Sequence, residues 1–285
     1  MLLDQACLAC IINQSAKVAD AIGADKVLKL RLNNDVTDMS KSFSFQHSPP
    51  EIAADVYEHM SFIADKNDLY DEVKEKSTQK ALSFVPFLQN KLNASKNKLL
   101  TATKIAVAGN VIDLAAAVSF DLEEELERIF DTEFAHNDFS LLDKKLLSAK
   151  KLLVLGDNVG EHIFDYLYIE TLQKLYPNLD ITYMVRGNPI INDVTMKEAK
   201  EANFHKLCTL VDSGVNTPGF TYDRATTNAR HIFDTVDLVI SKGMGNYECL
   251  TPSHRKEIVF LLKVKCNVVA KSLEQEVGSI ICKIV

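Results

Sequence analysis

The sequence predicts an α/β protein: a mainly helical portion over residues 1–120, some of whose helices pack onto the second portion, and over 121–285 a three-layer α/β/α arrangement around a mostly parallel sheet. Three observations carry this. Up to about residue 120 the apolar residues recur at helical spacing. After Asp138, short β-branched-rich runs bounded by Gly, Asp or Lys alternate with amphipathic stretches, which is how a parallel sheet covered on both faces is written in sequence. No internal repeat, long linker or low-complexity tract interrupts either pattern.

Residues 1–30 read as one helix, with Leu3, Cys7, Ile11, Ile12, Ala16 and Val18 on a stripe, and 34–46 as a polar connection. Ser48-Pro49-Pro50-Glu51 opens the next helix, because Pro is tolerated in the first turn and an acid suits the positive end of the macrodipole. DLYDEVKEKSTQKALSFVPFLQNKL continues as helix, bent or broken near Pro86. SKNKLLTATKIAVAGNVIDLAAA is a further helix, weakened in its middle by Gly109, and the charge run DLEEELERIFD reads as a solvated helix face. KLLVLGD, ITYMVRG, VDLVISKG and CNVVAKS then read as strands, with HKLCTLVDSG as a fifth candidate, and Lys265, between the apolar run Ile258–Leu262 and the strand CNVVA, is expected at a helix–strand junction.

The chain has 285 residues, 47% hydrophobic and 25% charged, enough for a sizeable core in one large or two modest domains. A net charge of −7 argues against a nucleic-acid partner. No apolar stretch is long enough to span a membrane, and MLLDQACLACIINQS has no basic region of the kind that opens a signal peptide. The six cysteines do not form a disulfide framework, so a reducing, cytoplasmic setting is expected. Cys7-x-x-Cys10 has no second pair at zinc-like spacing and reads as two small buried hydrophobes without a catalytic role.

The most informative stretch is KLLVLGDNVGE, residues 151–161. Four apolar residues form a buried strand, Gly156 turns the chain, and Asp157 and Asn158 stand at the strand's carboxyl end before an amphipathic helix. In an open α/β sheet ligands bind in the crevice outside the carboxyl ends of the strands. A carboxylate and a carboxamide there are hard oxygen donors for a divalent cation or for polar substrate groups. Two more strand ends are comparable: one leads to Arg186, Asn188, Asn192 and Asp193, the other to Ser241, Lys242, Asn246 and Glu248. Each set taken alone also reads as turn formers and helix caps. GDNVGE lacks the glycine pair of a dinucleotide fingerprint and puts an acid where pyrophosphate would sit. No HExxH set or GxSxG elbow is present, and His162, beside Glu161, reads as structural.

Together GDNVGE, RGNPIINDVT and DLVISKGMGNYE resemble the signatures of the damage-control phosphatase family, a metal-dependent group once known only as a domain of unknown function. CLACIINQ, SPPEIAADVYEHM, DLYDEVKEKS, AVAGNVIDLAAA and FLLKVKCNVVA resemble further family blocks in the same order, over nearly the whole chain. The pattern is most similar to the compact prokaryotic branch with an N-terminal C-x-x-C. The resemblance implies a helical N-terminal domain on a Rossmann-like α/β domain. It implies a divalent metal held by Asp157, Asn158 and Asp193, and phosphatase activity on small phosphorylated metabolites, sugar phosphates or damaged cofactor intermediates. It assigns Lys265 to the substrate phosphate. Eukaryotic branches carry Arg-Thr-x-Lys where this chain has Leu262-Lys263-Val264-Lys265, so their substrates do not carry over.

The residues suit phosphate-ester hydrolysis. Asp157, Asn158 and Asp193 offer hard oxygens to manganese, cobalt, nickel or magnesium, and a lysine at 265 would neutralise charge on the transferring oxygens. Asn110, Asp113, Glu161, Asn188, Lys242 and Asn246 are the expected substrate contacts or their supports. Two other classes compete: a non-catalytic metabolite-binding domain on the same fold, and an S-adenosylmethionine-dependent carboxyl methyltransferase, for whose cofactor no specific pocket motif is seen.

Overall fold

The chain opens with five helices: α1 (Gln5–Ala21), α2 (Lys26–Ser40), α3 (Pro49–Ala64), α4 (Asp71–Ala94) and α5 (Lys98–Ala115). The computed structural model describes residues 1–115, 122–251 and 257–285, with side chains for all of these except 110–115 and 122–123. The single helix expected over residues 1–30 is two. The side chain of Asp25 accepts from the Leu28 N–H at 2.8 Å and starts α2, which runs through much of the expected connection. Leu32 and Val36, one turn apart on α2, are fully buried, and that packing keeps the polar segment helical. At α3 the Glu51 carboxylate accepts from the Ser48 N–H at 2.8 Å and from its hydroxyl at 2.7 Å, so this helix begins where the sequence places it. Pro86 lies inside α4, which is one helix with Ala81 and Leu88 buried on either side of the proline.

The second part runs α6 (Leu122–Asp131), β1 (His136–Asn137), α7 (Phe139–Ser148), β2 (Lys151–Leu155), α8 (Glu161–Leu175), β3 (Asp180–Val185), α9 (Met196–Glu201), α10 (Phe204–Leu207), β4 (Thr209–Asp212), α11 (Thr227–Thr235), β5 (Leu238–Lys242), α12 (Gly243–Leu250), β6 (Ile258–Lys263), α13 (Asn267–Leu273) and β7 (Ile280–Ile284). Among the described residues seven strands form one sheet in the order β1-β7-β6-β5-β2-β3-β4, and of these only β6 and β7 pair antiparallel. This is the expected α/β class. From β2 the chain builds outward through β3 and β4, then returns to add β5 on the other side of β2. The gap between the ends of β2 and β5 is therefore a topological switch point, where doubly wound sheets bind their ligands.

CNVVAKS is not a strand. Ile258–Lys263 forms β6, buried between β5 and β7, and Asn267–Leu273 forms α13, whose first turn is capped by the Cys266 side chain accepting from the Val269 N–H. Strand and helix are thus interchanged relative to the expectation, and Lys265 moves to the carboxyl end of a strand.

Because successive strand residues face opposite ways, Leu152 and Val154 of β2 pack on one side of the sheet and Leu153 and Leu155 on the other. The first side is covered by α8 together with α4 and α5, through Leu88, Ile105 and Ala106. The second is covered by α11, α12 and α13. Helices α1–α3 build a smaller core of their own around Val18, Leu32, Val56 and Met60. All six cysteines are free, and no described helix is long and apolar enough to cross a membrane.

Candidate active site

The loops that follow β2 and β3 zip together beside the switch point. After β2 the Gly156 N–H donates to the Met184 carbonyl at 3.0 Å, and the Val159 N–H to the Asn192 carbonyl at 2.8 Å. In return the Val194 N–H donates to the Asp157 carbonyl at 2.8 Å, and Asn158 pairs with Asp193 as an antiparallel bridge. These main-chain bonds bring Asp157, Asn158 and Asp193 to one place, with exposures of 6%, 8% and 3%. The Asn158 amide donates to Asp157 Oδ2 at 3.1 Å. Arg186, at the end of β3, donates through Nε to Asp193 Oδ2 at 2.7 Å, and its Nη2 lies 3.8 Å from Asp157 Oδ1.

Burial, reinforced by the negative charges of Glu161 and Asp193, pushes the Asp157 carboxyl well above the usual carboxylate range, while Arg186 and Lys265 act in the opposite sense. Among the described side chains, four buried carboxyl groups, Asp157, Asp193, Glu161 and Asp165, lie near three cations, Arg186, Lys242 and Lys265.

Beneath the loops lies a fully buried network. The Lys242 ammonium donates to Glu161 Oε1 and to Asp165 Oδ1, both at 2.6 Å, and the Tyr183 hydroxyl donates to Asp165 Oδ2 at 3.0 Å. Burial pushes Glu161 up to about 7 against the pull of Lys242, whereas the two carboxylates hold Lys242 protonated. Lys242, expected among the substrate contacts, is thus spent on the frame. So is Asn246: its amide donates to the carbonyls of Gly156 (3.0 Å) and Lys242 (2.7 Å), and its oxygen accepts from the Phe220 N–H at 2.7 Å, which straps the end of β2 to the end of β5. Glu161 begins α8 inside this network. Gly109 of α5 lies against it: a Cβ at 109 would come within 2.5 Å of Glu161 Cγ, so close packing, beyond its weak helix propensity, accounts for a glycine there.

Lys265 stands beside the same cluster. Its N–H donates to Met244 Sδ at 3.1 Å, on the first turn of α12, and its positive charge favours the ionised forms of Asp157 and Glu161. Lys263, two residues earlier, turns away and pairs with Glu125 of α6 at 3.0 Å. That pair also shows that the acidic run on α6 has a structural partner.

Asn188 is exposed and lines a cavity of about 280 Å³ between α3 and the loop that leads to Asp193; Tyr57, Ser61, Asn67, Asp68 and Asn216 share its wall. The side chains of Asn110 and Asp113 lie outside the described residues. His162 is structural in geometry: its Nδ1 accepts from the Gly160 N–H at 2.9 Å and fixes the turn into α8. Cys7 and Cys10 belong to α1, Cys7 half-buried against the small helical core and Cys10 exposed. Sequence reasoning missed Asp165, Tyr183 and Gly243. Asp165 was within reach, since it lies one helical turn after Glu161 on the same face.

No group of three or more His, Cys, Asp or Glu among the described residues is arranged to hold a metal. The set Asp157, Asn158 and Asp193 differs in having a carboxamide as its middle member. Its donors are oxygens throughout, which suits a hard dication, and a bound cation would offset the cost of ionising the buried Asp157 carboxyl.

The family model for the damage-control phosphatase ARMT1-like domain matches residues 3–281 of the chain. A damage-control phosphatase of Pyrococcus horikoshii is 30% identical over 278 residues, 97% of this chain and 96% of that protein. A damage-control phosphatase of Archaeoglobus fulgidus is 28% identical over 291 residues, covering 100% of both. The crystal structure of a DUF89 family protein from Pyrococcus horikoshii matches with a TM-score of 0.91 at 27% identity, covering 100% of this chain and 99% of that one.

Proposed function

The chain belongs to the damage-control phosphatase ARMT1-like family, and on that premise we propose that it is a metal-dependent phosphomonoesterase acting on small phosphorylated metabolites. The observation that carries the reading is the backbone-zipped set Asp157, Asn158 and Asp193 at the switch point of the sheet. These three residues would hold the divalent cation, manganese, cobalt, nickel or magnesium. When bound, the cation polarises the phosphoryl group and offsets charge developing on its oxygens.

The protein's own groups do the rest. Lys265 supplies a positive charge that attracts the phosphate dianion and stabilises its oxygens in the transition state. The Lys242–Glu161–Asp165 network fixes the amino end of α8 and so the turn that carries Asp157 and Asn158. The cavity beside Asn188, on the loop that leads to Asp193, is the candidate seat for the organic part of a small metabolite; its wall combines carboxamides and hydroxyls with the carboxylates of Glu58 and Asp68 and the apolar Leu69, Ile190 and Ile191. Sugar phosphates and damaged cofactor intermediates are the substrate classes to assay first.

The test is turnover of p-nitrophenyl phosphate and of a panel of phosphorylated metabolites with each cation in turn. Cation-dependent release of phosphate that is lost in Asp157→Ala supports the reading; turnover that is unaffected by a chelator overturns the metal assignment.

A further inference from the structure

Arg186 is the feature of the site that this reading leaves over. Its side chain is 1% exposed, and its Nη2 is a buried donor with no hydrogen-bond partner. At 3.8 Å, Asp157 Oδ1 is beyond hydrogen-bond reach of Nη2. Burying a guanidinium is expensive unless its donors are used, and a charged donor left unmade costs more than a neutral one. The residue is not there by default of a mobile chain end. Its N–H donates to the Val194 carbonyl at 3.0 Å, it bridges to Thr195, and Nε is anchored on Asp193 at 2.7 Å. If the purpose were only to hold Asp193, the single Nε–H would serve. A planar fork anchored by one prong directs its other donors in a fixed geometry, here beside Asp157, where the site must receive an anion.

We propose that Arg186 is a second phosphate-binding cation, donating through Nη2 to a non-bridging oxygen of the substrate's phosphoryl group while Nε keeps Asp193 in place. The inference rests on the phosphatase reading above. It makes Arg186 the link between two tasks: the same guanidinium orients one oxygen donor of the cation site and contacts the phosphoryl group. A planar fork that serves two different acceptors in fixed geometry is what distinguishes arginine from lysine at such a position.

The experiment compares wild type with Arg186→Lys and Arg186→Gln in two binding measurements and one kinetic one. Calorimetry reads Mn²⁺ binding, then binding of inorganic phosphate to Mn²⁺-saturated protein; kcat/KM is measured with p-nitrophenyl phosphate. Expected is Mn²⁺ affinity within about threefold of wild type in Arg186→Lys, with kcat/KM lower by about 100-fold and phosphate binding weakened alongside it. Unchanged phosphate affinity in the Mn²⁺-saturated variants, whether or not Mn²⁺ binding weakens, would reduce Arg186 to a positioning residue and overturn the proposal. Should both variants fail to fold, wild-type crystals soaked with tungstate decide. An oxyanion oxygen within about 3.2 Å of Nη2 supports it, and an oxyanion held by other groups with Nη2 unengaged overturns it. Wild type that turns over no phosphomonoester with any dication counts against the phosphatase reading; wild-type turnover matched by the variants counts against Arg186 alone.

Discussion

Gly243 abuts the carboxylate of Asp157: a Cβ built on it would lie 1.7 Å from Oδ2. The residue also has φ +75°, a conformation that side chains other than glycine adopt at a cost. The first residue of α12 is therefore shaped by a group on the other side of the switch point. Gly243→Ala should displace Asp157, weaken Mn²⁺ binding at least about tenfold, and cost about 1–3 kcal/mol of stability from backbone strain. Titration with Mn²⁺ and thermal unfolding read the two effects separately. An alanine variant that binds Mn²⁺ as wild type does would show that Asp157 does not need this space.

Asp157 and Asp193 would share the metal, and Asp157 is expected to trade stability for function. Each mutated to Ala should abolish Mn²⁺ binding and most turnover in a folded protein. The sharper variant is Asp157→Asn. Burial raises the folded-state pKa of Asp157 above its unfolded value, so at pH values above that unfolded value the group opposes folding of the metal-free protein. Metal-free Asp157→Asn should unfold at a higher temperature than metal-free wild type, by about 2–4 °C for each 1 kcal/mol relieved. A lower melting temperature would mean that the carboxylate is satisfied without a cation.

Lys265 and Lys263 separate a phosphate ligand from a surface ion pair. Lys265→Ala should keep fold and Mn²⁺ affinity but lose about 30- to 1,000-fold in kcat/KM, the effect of removing one transition-state contact of about 2–4 kcal/mol. Lys263→Ala gives up only a partly exposed pair with Glu125, worth about 0–1 kcal/mol, and should leave kinetics unchanged. Equal kinetics in the two variants would sink the assignment of Lys265.

His162 predicts a pH dependence of stability. Burial pushes its imidazole down to about 4, so it is neutral in the folded protein and charges more readily when unfolded. Between pH 4 and 6.5 the unfolded chain binds the extra proton. The stability present above about 6.5 is therefore lost progressively as the pH falls towards 4, by on the order of 3 kcal/mol. His162→Asn keeps an oxygen to accept from the Gly160 N–H and has nothing to titrate. Denaturant unfolding of the two proteins from pH 4 to 7 should give wild type the steeper pH dependence, and parallel curves would refute the account.

Most of the sheet was legible because its strands are buried on both faces and write themselves as continuous apolar runs, as KLLVL and ITYMV do. The interchange at 258–273 was not. IVFLLK is apolar at every position but its last, a pattern that strand and buried helix share, and Val268-Val269 gave a seven-residue helix the composition of a strand. The site was legible as a set of polar residues at strand ends, but not in its division of labour. Sequence shows that Lys242 and Asn246 close a strand; only the packing shows that both point into the frame, one to Glu161 and Asp165, the other to the carbonyls of Gly156 and Lys242. Arg186 was visible as a cation at a strand end, yet its unengaged nitrogen is a property of the folded site alone.

Because the two loops are zipped main chain to main chain, the backbone spacing of Asp157, Asn158 and Asp193 is set without help from whatever sits among the side chains. A chelator would then empty the site without unravelling it, and resupplied ion would restore turnover as fast as it diffuses in, with no refolding to wait for. On the metal-dependent reading, the protein between those events would be an idle, intact scaffold, and the free ion concentration around it would throttle its output.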